Sequence, residues 1–214
     1  MTLAATFLGG ATSRLLPASV PFRFFGAASI MHVLMWIVLL TGDGDGTRFR
    51  GGLGSTLAAV HLLTLGVLTT TAIGASVQLL PVATKRALSA VWPIKLVFWL
   101  TVPGLVLLVV GMQAMNVALA SVGAAVTAAG LLLFAVLLAD NLRRTGSLAM
   151  VGVYGWMALA ALIGLIALGL LLVFDYELGR LHDHMAVALA HMILGGFGFM
   201  GMLEIGRASC RERV

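Results

Sequence analysis

Apolar residues run almost unbroken through six stretches of this chain, near residues 22–41, 53–82, 91–112, 116–139, 148–174 and 185–203. Charged residues are concentrated in the segments between them and near their ends. Each stretch can cross about 30 Å of hydrocarbon, which takes roughly 20 helical residues. A helix satisfies its backbone N–H and C=O groups internally, and lipid offers them no other partner, so each run is expected to be a helix. The pattern predicts an all-α, polytopic transmembrane bundle of about six helices over residues 22–203. Residues 1–21 form an N-terminal cytoplasmic segment and residues 204–214 a separate tail. The second run is longer than a crossing needs, which places its far end, around Gln78 and Pro81, at headgroup depth.

Composition removes the soluble classes. Hydrophobic residues make up 61% of the chain and charged residues 10%, with a mean hydropathy of +1.10, values of a membrane protein and not of a water-soluble core. Lys and Arg are retained on the cytoplasmic side, and here they fall in alternate loops. Arg14 and Arg23 precede the first helix, Lys85, Arg86 and Lys95 flank the second connection, and Arg143 and Arg144 occupy the fourth. The other loops carry Asp43, Asp45, Arg48 and Arg50, then Gln113 and Asn116, then Asp175, Glu177, Arg180 and Asp183. The N-terminus is therefore expected in the cytoplasm, with the chain multi-pass in a cell inner membrane. Arg14 follows the Gly/Ala-rich start instead of preceding it, unlike a cleavable leader. The net charge of +5 reflects loop anchoring. No basic stripe interleaved with aromatics suggests a nucleic-acid partner; the expected partner is the lipid bilayer.

Against this background two histidines stand out. His61-Leu-Leu-Thr-Leu-Gly66 and His191-Met-Ile-Leu-Gly-Gly196 open with the same spacing, His-x4-Gly, and each lies near the outer end of its helix. At about 1.5 Å per residue, His61 lies roughly 12 Å, His191 roughly 10 Å and His32 roughly 13 Å from the outer ends of the second, sixth and first helices. An ionisable side chain at membrane depth needs a partner and marks a candidate site. Neutral imidazole binds haem iron and copper well. His61 and His191 are thus candidate haem or metal ligands, and His32 is a further cofactor-binding candidate by depth alone. The competing role for each is a hydrogen bond to a neighbouring backbone carbonyl.

A ligand histidine also needs an acceptor for its other ring nitrogen. Thr64, Thr69, Thr70, Thr71 and Ser76 offer hydroxyls on the His61 helix, although threonine equally bonds back to its own helix. Gly66, Gly74, Gly195 and Gly196 leave room for a flat macrocycle or for close helix packing. His182-Asp-His184 suits a surface metal, a proton relay or a solvated loop. Asp43-Gly-Asp45-Gly46 lacks the later carboxylates of a calcium loop. Met31, Met35, Met192, Met200 and Met202 are soft donors or ordinary packing. The third to fifth helices, with Pro103, Gly152, Gly155 and Gly164, read as packing elements.

The tail changes one inference. One back-translation of residues 204–214 resembles a widely used short-read sequencing adapter, so the membrane domain is expected to be truncated, with its native sequence diverging after about residue 203. The single cysteine, Cys210, falls in that tail, which leaves the membrane domain without thiol chemistry.

The two histidine segments, four helices apart, together with Gly74 and Gln78-Leu-Leu-Pro81, resemble the N-terminal half of the haem-copper oxidase subunit I-like superfamily, which includes the NnrS-like membrane proteins. The resemblance covers roughly residues 22–203. It implies a b-type haem on His61, copper at the position of His191, and a role in respiratory electron transfer or in reducing oxygen or nitric oxide. Other respiratory subunits or a cytochrome would be its partners. His191 is not followed by the Tyr or Glu of oxidases and nitric oxide reductases, which makes an NnrS-like role in haem, copper or nitric oxide handling the alternative. A bis-histidine b-type cytochrome and a transporter are the remaining readings. The superfamily pattern predicts separate centres for His61 and His191, whereas a bis-histidine carrier would hold one haem between them.

Overall fold

Each apolar run folds as one helix of spanning length in the computed structural model, which describes residues 15–42, 49, 51–83, 90–143 and 149–205. The spans are α1 (Ser19–Thr41), α2 (Ser55–Leu79), α3 (Trp92–Gln113), α4 (Val117–Arg143), α5 (Gly152–Leu178) and α6 (His184–Ile205). The chain is an all-α, multi-pass membrane protein, as its hydropathy predicts. Arg14, the Asp43-Gly-Asp45-Gly46 segment, Arg48, Arg50, Lys85, Arg86, Arg144 and residues 206–214 with Cys210 lie outside the described residues.

Some helix ends lie beyond the apolar runs. α4 continues through Asp140 and Asn141 to Arg143, and α5 continues through Asp175 and Tyr176 to Leu178. A helix keeps its internal hydrogen bonds after leaving hydrocarbon, so loss of hydropathy alone does not end it. α5 stops at Gly179, whose φ of +56° is the left-handed conformation glycine adopts at helix ends. The Gly179 N–H donates to the Asp175 carbonyl at 2.8 Å.

Neighbours in sequence are neighbours in space. α1 packs on α2, α2 on α3, α3 on α4, α4 on α5 and α5 on α6, and α2 also meets α6. All six converge on one core, to which each contributes a buried residue: Phe24, Ile73, Ile94, Phe134, Leu162 and Phe199. A second core in the half nearer the C-terminal end of α1 gathers Met31, Met35, Ala58, Leu62, Leu105, Leu108, Met112 and Val173. Exposed Ile30, Val33, Trp36, Ile37 and Leu40 on α1 form a surface suited to lipid.

Lipid is as apolar as leucine, so spans associate by close packing more than by escape from solvent. The tightest contact is the α3–α4 hairpin. Gly111 lies against the backbone of Ala120, Gly123 against Leu108, Gly104 against Thr127 and Gly130 against Thr101, each too close to admit a Cβ without movement. The turn is equally short. Met115 takes a φ of +51°, the Asn116 N–H donates to the Gly111 carbonyl at 2.8 Å, and the Asn116 side chain accepts from the Leu119 N–H at 3.0 Å.

Candidate metal centre

The two histidine helices share a backbone irregularity. α2 winds as α-helix over Ser55–His61 and then as π-helix over Leu62–Thr69. α6 does the same, with α-helix over His184–Ile193 and π-helix over Leu194–Gly201. Wide π turns are rare and concentrate at functional sites. Here one begins directly after His61 and the other three positions after His191, and the two π segments are where α2 and α6 meet.

That meeting brings the predicted ligands together. The imidazoles of His61 and His191 have centres 6.5 Å apart and planes 25° from parallel. Each ring is half-buried. His61 Nδ1 lies 2.9 Å from the Leu57 carbonyl one turn earlier on its own helix. His191 Nδ1 lies 3.0 Å from the Leu165 carbonyl of α5. A carbonyl can only accept, so in both rings Nδ1 carries the proton and donates. In the neutral imidazole this leaves Nε2 with its lone pair for a metal.

Two neutral imidazoles with free Nε2 atoms could hold a haem iron or another metal. Among the described residues no group of three or more His, Cys, Asp or Glu side chains comes together. If a haem binds here, His61 and His191 are the residues that would hold it.

His32 stands apart from the pair. It is exposed, with its ring centre 6.5 Å from that of Trp36 and the two planes 28° apart. Two of the threonines bond within their own helix: Thr64 Oγ1 donates to the Val60 carbonyl at 2.8 Å and Thr70 Oγ1 to the Leu65 carbonyl at 2.8 Å. The acceptors orienting the histidines are main-chain carbonyls, which side-chain patterns do not announce. Gly66 lies against Met31, Gly74 against Phe24 and Phe25, and Gly195 against Leu165, whereas Gly196 borders open space. Met31 and Met35 belong to the buried core near Leu62, and Met192 is exposed.

The His182-Asp-His184 segment divides its labour. Asp183 caps α6, accepting from the Ala186 N–H at 2.9 Å. His184 Nδ1 donates to Asp175 Oδ2 at 2.9 Å, and its ring centre is 5.1 Å from that of Tyr176. Asp175 Oδ1 accepts from the N–H groups of Arg180 and Leu181, both at 2.8 Å. His184 therefore fastens the start of α6 to the end of α5, two turns above His191 on the same helix.

In comparisons with known proteins, no family model, no curated protein and no solved structure matches this chain.

Proposed function

We propose that this is a haem-binding integral membrane protein in which His61 and His191 would together hold one b-type haem, and that it carries electrons in the inner membrane of a bacterium-like cell. The observation carrying this reading is the 6.5 Å separation of the two ring centres. A metal bonded at about 2 Å to one nitrogen of each ring, with each nitrogen about 1 Å from its own ring centre, places the centres roughly 6 Å apart. The 6.5 Å separation is close to that value, which supports one shared centre over separate haem and copper sites. Both Nδ1 atoms are committed to carbonyls, which fixes the ligating nitrogen as Nε2 in each case. Bound haem would supply one-electron redox chemistry. The histidines hold it, and the surrounding apolar spans limit water and set the dielectric. Its electron donors and acceptors would be respiratory subunits or a cytochrome.

The test is a reduced-minus-oxidised spectrum and a metal analysis of the purified protein beside its His61→Ala and His191→Ala variants. Loss of the same low-spin b-type signal from both variants supports the shared centre. If His191→Ala instead spares that signal and removes copper, the haem-copper-like reading, with oxygen or nitric oxide reduction as its chemistry, takes its place. A wild-type protein that takes up neither haem nor copper rules out both.

A further inference from the structure

The two ligand candidates are held differently. His61 bonds to its own helix, through Leu57, whereas His191 bonds to a neighbouring one, through Leu165 of α5. A span that contributes no ligand thus fixes the direction of a ligand ring.

Gly169, one turn beyond Leu165, makes this possible. A Cβ on Gly169 would stand 2.9 Å from His191 Cε1, a separation that real Cβ atoms essentially never show. Any residue other than glycine would push against the face of α6 that carries the imidazole. The ring is a rigid plane already anchored at Nδ1, so it has no flexible end to turn aside. A second tie runs along the same helix pair, from Asp175 to His184. His184 and His191 are seven residues apart, two turns of one helix face, and both bond to α5.

Resting on the reading of His191 as a haem ligand, we infer that α5 is the positioning element of this centre: Gly169 admits the His191 imidazole against the helix, and the Leu165 carbonyl fixes it as the Nδ1–H tautomer with Nε2 free for the metal. Gly169 is a positioning residue that touches the ligand ring. Partners that fix ring orientation typically alter metal affinity by about 10- to 100-fold when disturbed, and that is the loss expected from Gly169→Ala.

The experiment separates this inference from the reading beneath it. Metal-free protein carrying 15N-labelled histidine, as wild type, Gly169→Ala and Gly164→Ala, is examined by NMR for ring tautomers and then titrated with haemin. Gly164 is the control because it also faces α6, where an added Cβ would meet only the far end of Leu194 at 3.0 Å. The inference expects an Nδ1–H tautomer for His191 in wild type and in Gly164→Ala. In Gly169→Ala the His191 signals should shift while those of His61 stay in place, and haemin affinity should fall about 10- to 100-fold. An Nε2–H tautomer for His191 in wild type overturns the inference even if Gly169→Ala fails to fold. So does a Gly169→Ala protein with an unmoved His191 signal and wild-type haemin affinity. Haemin that does not bind to wild type, with the tautomer as expected, removes the haem reading and leaves the α5 attachment of His191 standing.

Discussion

His61 and His191 lie 130 positions apart in the chain, yet their ring centres are 6.5 Å apart where the π turns of α2 and α6 meet. Each ring is tied through Nδ1 to a carbonyl, on α2 for one and on α5 for the other. If one haem iron joins the two Nε2 atoms, the ligands are interdependent. His61→Ala and His191→Ala are expected to abolish the same low-spin signal, each lowering haem retention by 10-fold or more, in line with the loss typical when even the partners of a metal ligand are removed. Pyridine haemochrome assay of the purified variants measures that retention, and full retention in either one contradicts a shared centre.

His32 makes the opposite prediction. Its depth matches the pair, but its ring is exposed and lies beside Trp36. His32→Ala is expected to leave haem content, band position and midpoint potential unchanged. A shifted potential in this variant, measured by redox titration, would place His32 nearer the centre than the fold does.

The spans and the ligand pair were legible in the sequence for different reasons and to different depths. Hydropathy located all six helices, because a spanning helix must be apolar for its whole length. The shared His-x4-Gly spacing selected His61 and His191, and depth placed them in one layer. Depth cannot tell which way a side chain points around its helix, and depth alone recommended His32, which is exposed on α1. The π turns were hidden because their residues, Leu62–Thr69 and Leu194–Gly201, are as apolar as α-helical ones. The Leu57 and Leu165 carbonyls were hidden because every residue has one. Gly169 carried no signal among the other small residues of α5, and only the nearby His191 ring sets it apart.

The α3–α4 hairpin predicts a stability effect remote from the histidines. Gly123 lies against the Leu108 backbone and Gly111 against that of Ala120, where no side-chain rotation can make room. Gly123→Leu should cost about 1–3 kcal/mol or more through overpacking. Gly152 has nothing within 4 Å of the place where its Cβ would stand. Gly152→Ala should therefore be neutral or stabilising by about 0.5–1 kcal/mol, the helix-interior preference for alanine. Thermal unfolding in detergent compares the two, and equal midpoints would contradict the close approach at Gly123.

Asp175 gathers the connection between α5 and α6, and its chemistry predicts a graded response. One carboxylate oxygen accepts two backbone N–H groups, from Arg180 and Leu181, and the other accepts from His184 Nδ1. Asp175→Ala removes every one of these acceptors and leaves the two N–H groups to find water. Asp175→Asn keeps an oxygen for the backbone pair and turns an amide N–H₂ toward His184, which can still bond if its ring adopts the other tautomer and accepts through Nδ1. The expected order of thermal stability is wild type, then Asn, then Ala. Since His184 begins the helix that carries His191, the Ala variant should also broaden the low-spin signal, whereas the Asn variant should keep it close to wild type. Unfolding midpoints and low-temperature spectra of the three proteins check both parts. An Ala variant as stable as the Asn variant, with an equally sharp signal, would show that the α5–α6 connection holds without the carboxylate.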